Sequence, residues 1–169
     1  CHNPQSASPH PLQPSARLFA LTVQKNIPFS MTVELTYRCP LRCVHCYLPE
    51  TQGSAPVRRE DELTTEQWKR AFDDLAEAGC LYLVITGGEI LVRPDALELF
   101  AYARGLGFET KLYTTGVTLR EDQADEIAAM GLASVELSVY GRPETHDAIT
   151  LLPGSFEKTM LAIDRLSVR

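Results

Sequence analysis

The chain has 169 residues, of which 44% are hydrophobic and 22% are charged; these are the proportions of a soluble globular protein about one domain long. Its net charge of −6 gives no sign of a nucleic-acid partner, which would require a basic surface, and no apolar run approaches the roughly 20 residues that cross a bilayer. Three of the five cysteines are clustered, a pattern typical of a metal site in a reducing compartment, so we expect a cytoplasmic protein with no membrane partner.

The N-terminal residues 1–16 contain four prolines among small polar residues. They offer little to bury, which predicts a disordered tail. Residues 17–25 could form a short helix that ends before Pro28, and we place the folded domain at residues 17–169. Because the chain begins at Cys1 and stops just after a helical pattern, we expect it to be the N-terminal part of a longer protein.

From residue 31 onward, strand and helix patterns alternate. Strands are predicted at 31–36, 81–86, 108–113 and 133–139, and helices after Thr64, from Pro94, at 119–130, near 144–149 and at 156–166. Thr64 and Gln67 have the spacing of a capping box. The second strand is almost continuously apolar, as in a strand covered on both faces. Alternation of this kind predicts an α/β fold with a parallel sheet built from right-handed βαβ units.

A cluster of cysteines directly follows the first predicted strand. Cys39, Cys43 and Cys46 lie at positions i, i+4 and i+7, so their thiolates can reach one metal centre. Three ligands are one too few for a closed zinc site or an all-cysteine iron–sulfur cluster. The pattern therefore predicts a metal centre with an open coordination position where another molecule binds.

Polar or glycine-rich groups follow the other three strands as well. The groups are Gly87-Gly88-Glu89 after the second strand, Thr114-Thr115 after the third, and Ser138 with Tyr140 after the fourth. Ligands of parallel α/β sheets and barrels bind at the carboxyl ends of the strands. We therefore expect all four groups to meet at one rim. Glycines there would let a ligand lie against the backbone, and Glu89 could offer its carboxylate to an ammonium group.

Each group also has a simpler structural interpretation. The cysteines could hold structural zinc with His45 as the fourth ligand, although adjacent His45 and Cys46 are poorly placed for one tetrahedron. The glycines could serve only a tight turn, and the threonines and Ser138 could be plain turn residues. Cys80 opens the buried second strand and is interpreted as a core thiol. His146 and Asp147 are interpreted as solvated residues of a surface helix.

The motifs taken together resemble those of the radical S-adenosylmethionine (radical SAM) superfamily. The resemblance is carried by the cysteine triplet after the first strand and by Gly87-Gly88-Glu89 after the second, and it extends from about residue 30 to the end of the chain. Three phrases, at residues 34–39, 86–89 and 153–156, resemble the branch with a SPASM-type C-terminal extension, which modifies peptides or builds cofactors.

The resemblance implies a [4Fe-4S] cluster on Cys39, Cys43 and Cys46, with S-adenosylmethionine chelated at the fourth iron. It further implies that Gly87, Gly88 and Glu89 hold the methionine ammonium, and that His45, Thr115 and Ser138 contact the rest of the cofactor, with His45 near the adenine and Ser138 at the ribose. One electron, from a reduced flavodoxin or ferredoxin, would cleave S-adenosylmethionine to a 5′-deoxyadenosyl radical that abstracts a hydrogen atom from the substrate.

The resemblance also implies a (β/α) barrel of the TIM type, of which this chain would supply about four βα units. Such barrels have at least six strands, so we expect later strands and any cluster-binding extension to lie outside this sequence. Three functions remain open: modification of a ribosomally made peptide, a radical step in heme or quinone-cofactor synthesis on a small molecule, and, from another class, a non-catalytic zinc module.

Overall fold

The computed structural model describes residues 14–48 and 58–168. Of the predicted tail, residues 1–13 lie outside the described residues, whereas residues 14–16 begin helix α1, Pro14–Gln24. The predicted tail boundary at residue 16 is therefore wrong, because the fixed backbone angle of proline suits the first position of a helix. Within the described ranges, no helix combines the length and the apolar character that crossing a membrane requires.

Four parallel strands form one sheet, and they lie side by side in chain order: β1 (Ser30–Glu34), β2 (Tyr82–Thr86), β3 (Glu109–Thr114) and β4 (Ser134–Leu137). The helices that alternate with them are α2 (Thr65–Glu77), α3 (Ala96–Gly105) and α4 (Glu121–Ala129), followed by α5 (Pro143–Thr150) and α6 (Ser155–Ser167). The predicted α/β fold with consecutive parallel βα units is confirmed, and it forms part of a (β/α) barrel of the TIM type.

Two helix starts show how local sequence sets the element boundaries. At α2, the Thr64 hydroxyl accepts a bond from Gln67 N (3.3 Å) while Gln67 Oε1 accepts from Thr64 N (2.8 Å), which confirms the predicted capping box. The expectation that Pro94 lies in the first turn of the next helix is wrong. Asp95, a residue type favoured at the N-cap, occupies that position, and α3 begins at Ala96, so Pro94 lies just before the helix.

The apolar core lies on one face of the sheet. Leu83, Ile85 and Leu112 are fully buried there, together with apolar residues of α2, α3, α4 and α6. On the other face of β2, Tyr82 is 42% exposed and Val84 is only partly buried. The expectation that β2 is covered on both faces is therefore wrong for the described residues, because the core cluster includes Leu83 and Ile85 but neither Tyr82 nor Val84.

Candidate functional site

A cavity of about 250 Å³ lies at the carboxyl ends of the four strands. Its wall includes Thr114 at the end of β3 and residues from each of the four loops that follow a strand: Cys39, Cys43, His45, Cys46, Gly87, Gly88, Thr115, Ser138 and Tyr140. The predicted meeting of these loops at one rim is confirmed. A second cavity of about 400 Å³, between α4, β4 and α6, is lined almost entirely by apolar side chains and offers no ligand for a metal.

The three clustered cysteines border the cavity as thiols. None of them forms a disulfide with another described residue. Burial, as the largest cause, raises the pKa of the Cys39 thiol to about 11, together with the negative charges of Glu89, Cys43 and Cys46 and against the opposing effect of a hydrogen bond with the Leu41 backbone. Cys39 therefore lies within electrostatic reach of the other two thiols, and metal binding at this site would release protons.

The three thiols lie around the cavity and do not converge on one point. Within residues 14–48 and 58–168, no group of three or more His, Cys, Asp or Glu side chains is gathered closely enough to surround a single metal ion. A set of three thiol donors beside an open cavity fits a polynuclear iron–sulfur cluster, which cysteine thiolates hold, with room beside it for a further ligand. The assignment of Cys39, Cys43 and Cys46 as its ligands stays a prediction.

The glycine pair lies tightly against the chain that enters the cysteine loop. Gly88 N donates to Thr36 O (2.8 Å) and Glu89 N donates to Arg38 O (2.9 Å). A Cβ atom on Gly87 would lie 2.3 Å from Thr36 O, and one on Gly88 would lie 2.5 Å from Arg38 O. Backbone atoms this close leave no room for any side chain. The glycines therefore fix the spacing between two loops of the rim, and their predicted contact with a bound cofactor is an additional role that stays a prediction.

Glu89 is fully buried, and its carboxylate joins two loops of the rim. One oxygen accepts bonds from the Thr114 hydroxyl (2.7 Å) and from Leu91 N (3.0 Å). The other accepts from Thr115 N (2.8 Å) and from the Thr115 hydroxyl. A buried carboxylate needs such donors, so Glu89 positions the end of β3. Thr115 contributes two of these bonds. The predicted contacts of Glu89 and Thr115 with the cofactor stay predictions.

Replacing Glu89 by glutamine is expected to destabilise the protein by about 1–3 kcal/mol, the cost of leaving a buried hydrogen-bonding group without a partner. The amide nitrogen of glutamine cannot accept, so at least one of the donors now bonded by Glu89 loses its acceptor. Urea unfolding of the intact protein measures the change. Glu98→Gln is the matched control, because Glu98 is 57% exposed in its ion pair with Lys69 and such surface pairs contribute little. Equal losses in the two variants would contradict the role of Glu89.

His45 and Tyr140 contact each other in the wall of the cavity. His45 Nε2 lies 3.3 Å from the Tyr140 hydroxyl, and the two rings meet edge to face with centroids 4.9 Å apart. The zinc hypothesis needs His45 as a metal ligand, yet its Nε2 faces Tyr140. Ser138 lines the same cavity on an exposed stretch after β4, and its predicted ribose contact stays a prediction.

Two residues of α5 that the sequence indicated as solvated make hydrogen bonds within the fold, close to the wall of the cavity. His146 is only 1% exposed, and its Nδ1 accepts a bond from Tyr140 N (3.3 Å). The Asp147 carboxylate accepts bonds from Phe156 N and Gly154 N at the start of α6, which lower its pKa. The surface interpretation is wrong for His146, whereas Asp147 is half-buried and has its carboxylate bonded within the fold. The sequence does contain one indication that His146 faces inward: it lies four residues before Thr150, so the two residues share one face of the helix.

An ion-pair network holds the residue that directly precedes the cysteine loop. The sequence predicted residues 49–62 as a polar surface loop. Residues 49–57 lie outside the described residues, residues 58–61 are exposed, and the Glu62 side chain is the exception at 6% exposed. Its carboxylate accepts two bonds from Arg38 (3.1 Å each) and pairs with buried Arg93 (3.5 Å), which also donates to Leu35 O (2.8 Å). Burial alone would raise the pKa of Asp95, but hydrogen bonds from Arg93 and Thr65 outweigh it and lower that pKa to about 2.

The fold and the site together agree with the comparison to known families. The sequence pattern of the radical SAM superfamily matches residues 33–169, and the chain therefore belongs to that superfamily. The matched range contains all three clustered cysteines, the glycine pair and the whole of the parallel sheet beyond the first residues of β1.

Individual relatives are similar over much of this chain. It is 40% identical over 134 residues, 79% of its length, to the PqqA peptide cyclase of Rhizobium meliloti (strain 1021). It is 37% identical over 142 residues, 83% of its length, to the AdoMet-dependent heme synthase of Methanosarcina barkeri (strain Fusaro / DSM 804). The chain spans 35% of the first protein and 40% of the second.

Solved structures show the same fold. Streptococcus suis SuiB bound to the precursor peptide SuiA superposes with a TM-score of 0.73 at 16% identity, over 99% of this chain and 38% of that one. Native anSMEcpe with bound AdoMet superposes with a TM-score of 0.65 at 20% identity, over 81% of this chain and 40% of that one. At such identities the likeness concerns the fold alone.

Proposed function

We propose that the protein is a radical SAM enzyme that uses a [4Fe-4S] cluster to cleave S-adenosylmethionine reductively and abstract a hydrogen atom from a substrate. The single observation that carries this proposal is the cavity at the carboxyl ends of the strands, where three thiols and two glycines of separate loops share one wall. Its position suits a bound small molecule in a parallel α/β fold. We further propose a cytoplasmic location and reduced flavodoxin or ferredoxin as the electron donor.

The proposed roles of the chain's own residues follow from their places in the wall. Cys39, Cys43 and Cys46 would hold the cluster, which when bound supplies the electron that cleaves the cofactor. The backbone of Gly87 and Gly88 borders the cavity, where it would lie against the methionine end of S-adenosylmethionine together with Glu89. The charge of Glu89 already reaches Cys39, so the same carboxylate would favour an ammonium group nearby.

The other side of the wall would bind the nucleoside part. His45 carries an aromatic ring at the cavity, held by Tyr140, and an adenine could pack against it. Ser138 offers a hydroxyl to the ribose, and Thr115, whose hydroxyl bonds Glu89, would act mainly by keeping Glu89 in place. Enclosing the reacting atoms in this way would keep water and side reactions out.

We propose a ribosomally made peptide as the substrate, modified by a SPASM-branch enzyme. The support is the similarity to proteins named PqqA peptide cyclase and the fold shared with SuiB, which is described as bound to a precursor peptide. A radical step in heme or quinone-cofactor synthesis is the second candidate, because a protein named AdoMet-dependent heme synthase is 37% identical to this chain.

The test uses the intact protein, purified and reconstituted with iron and sulfide in the absence of oxygen. Iron, labile sulfide and zinc are quantified, and 5′-deoxyadenosine is measured after addition of a strong reductant and S-adenosylmethionine. We expect a cluster and 5′-deoxyadenosine, with a mass change in a candidate precursor peptide encoded beside the gene. Stoichiometric zinc with intact S-adenosylmethionine would contradict the proposal and favour the zinc module. A change in a porphyrin precursor instead of the peptide would favour the second candidate.

A further inference from the structure

Helix α5 holds the cysteine loop through the backbone. Arg42 N donates to Thr150 O (3.1 Å), and Val44 N donates to Ile149 O (2.9 Å). The last carbonyl groups of a helix have no partners within the helix itself. The amides of the cysteine loop therefore complete the C-terminal end of α5, and this helix determines where the segment between Cys39 and Cys46 lies.

His146, on the same helix, fixes the residue that enters the cavity wall. Its Nδ1 accepts from Tyr140 N (3.3 Å). Because a backbone amide can only donate, Nδ1 is the unprotonated nitrogen of the ring. The His146 ring also packs on the Tyr140 ring, with centroids 5.4 Å apart, and meets Phe156 edge to face at 5.7 Å. Both the backbone and the ring of Tyr140 therefore depend on His146.

Tyr140, which His146 holds in place, in turn contacts the cysteine loop. Its hydroxyl lies 3.3 Å from His45 Nε2, and His45 stands between Cys43 and Cys46 in the sequence. Tyr140 and His45 both line the cavity, whereas His146 does not. A continuous line of contacts thus leads from a buried histidine, through a tyrosine, to the ring beside two predicted cluster ligands.

We propose that His146 is a positioning residue for S-adenosylmethionine: it holds Tyr140, and through it His45, in the orientation that forms one side of the binding cavity. The inference rests on the proposed function, because S-adenosylmethionine must occupy this cavity. His146 is not among the residues that line the cavity, and it acts through Tyr140. Removing it should loosen one wall of the cavity while the three thiols remain.

The experiment measures the Kd of S-adenosylmethionine for the intact reconstituted protein by calorimetry, without reductant so that no turnover occurs. We expect His146→Ala to raise the Kd about tenfold, the effect of losing about one hydrogen bond, at unchanged iron and sulfide content. His146→Asn should restore binding, because its Oδ1 can accept from Tyr140 N. Tyr140→Phe should raise the Kd as well, because it removes the hydroxyl that lies 3.3 Å from His45 Nε2.

Asp147→Asn is the matched control on the same helix. Asp147 bonds the start of α6 and not Tyr140, so this variant should lower the melting temperature and leave the Kd unchanged. An equal rise in Kd for Asp147→Asn would mean general loosening and overturn the inference, as would unchanged binding in Tyr140→Phe. If His146→Ala does not fold, the asparagine and phenylalanine variants decide. A wild-type protein that holds a cluster but binds no S-adenosylmethionine would overturn the proposed function itself.

Discussion

Cys43→Ala is expected to abolish assembly of the iron–sulfur cluster and formation of 5′-deoxyadenosine in the intact protein. Cys43 is the middle of the three thiols that border the cavity, and two remaining thiols cannot replace a three-cysteine donor set. Removing a residue that only hydrogen-bonds a metal ligand typically lowers metal affinity or activity about 10–100-fold. We therefore expect removal of a ligand itself to reduce turnover by more than about 100-fold. Iron and sulfide analysis, the absorption of the cluster and chromatography of 5′-deoxyadenosine measure the result.

Cys80→Ala is the matched control for the loss of a thiol. Cys80 is 5% exposed beside β2, where its thiol bonds Tyr82 O (3.4 Å), and it does not line the cavity. This variant should lose some stability, about 1 kcal/mol for removing a small buried group, and retain its cluster and turnover. Normal iron content in Cys43→Ala, or equal loss of iron in both variants, would contradict the assignment of the cysteine loop as the cluster site.

The meeting of the candidate residues at one rim could be predicted because it depends on chain order alone. In a parallel sheet every strand ends at the same edge, so groups that follow four consecutive strands must come together. Neither exact contacts nor side-chain orientation was needed for Cys39, Gly87, Thr115 and Ser138 to be placed on one cavity. The capping box of Thr64 was equally predictable, because it depends on residues only three positions apart.

The parts that sequence reasoning missed depend on contacts between distant segments. The Glu62 side chain is bonded by an arginine 24 residues away, and the His146 ring packs against Tyr140 and Phe156. A polar residue on a short helix reads as solvated unless its partners are known, since burial becomes tolerable only once hydrogen bonds are supplied. For the same reason the fixed partners of Glu89 were not apparent from the sequence.

Gly87→Ala is expected to destabilise the intact protein by about 2–4 kcal/mol, which is the range of local backbone strain and overpacking combined. The new Cβ would lie 2.3 Å from Thr36 O, and the backbone φ of Gly87 is +155°. The neighbouring atom belongs to the backbone that leads into the cysteine loop, so it cannot move aside as a flexible side chain would. We therefore expect cluster content to fall together with stability, as measured by urea unfolding and iron analysis.

Gly105→Ala separates this steric effect from the general effect of replacing a glycine. Gly105 is the last residue of α3, and a Cβ there would meet nothing within 4 Å; in a helix this change is expected to stabilise by about 0.5–1 kcal/mol. If Gly87→Ala lowers the free energy of unfolding and Gly105→Ala raises it, the close packing of the glycine pair on Thr36 and Arg38 is what holds these two loops of the rim together. Were Gly87→Ala as stable as the wild type and able to keep its cluster, the spacing of these two loops could not be what holds the cysteine loop in place.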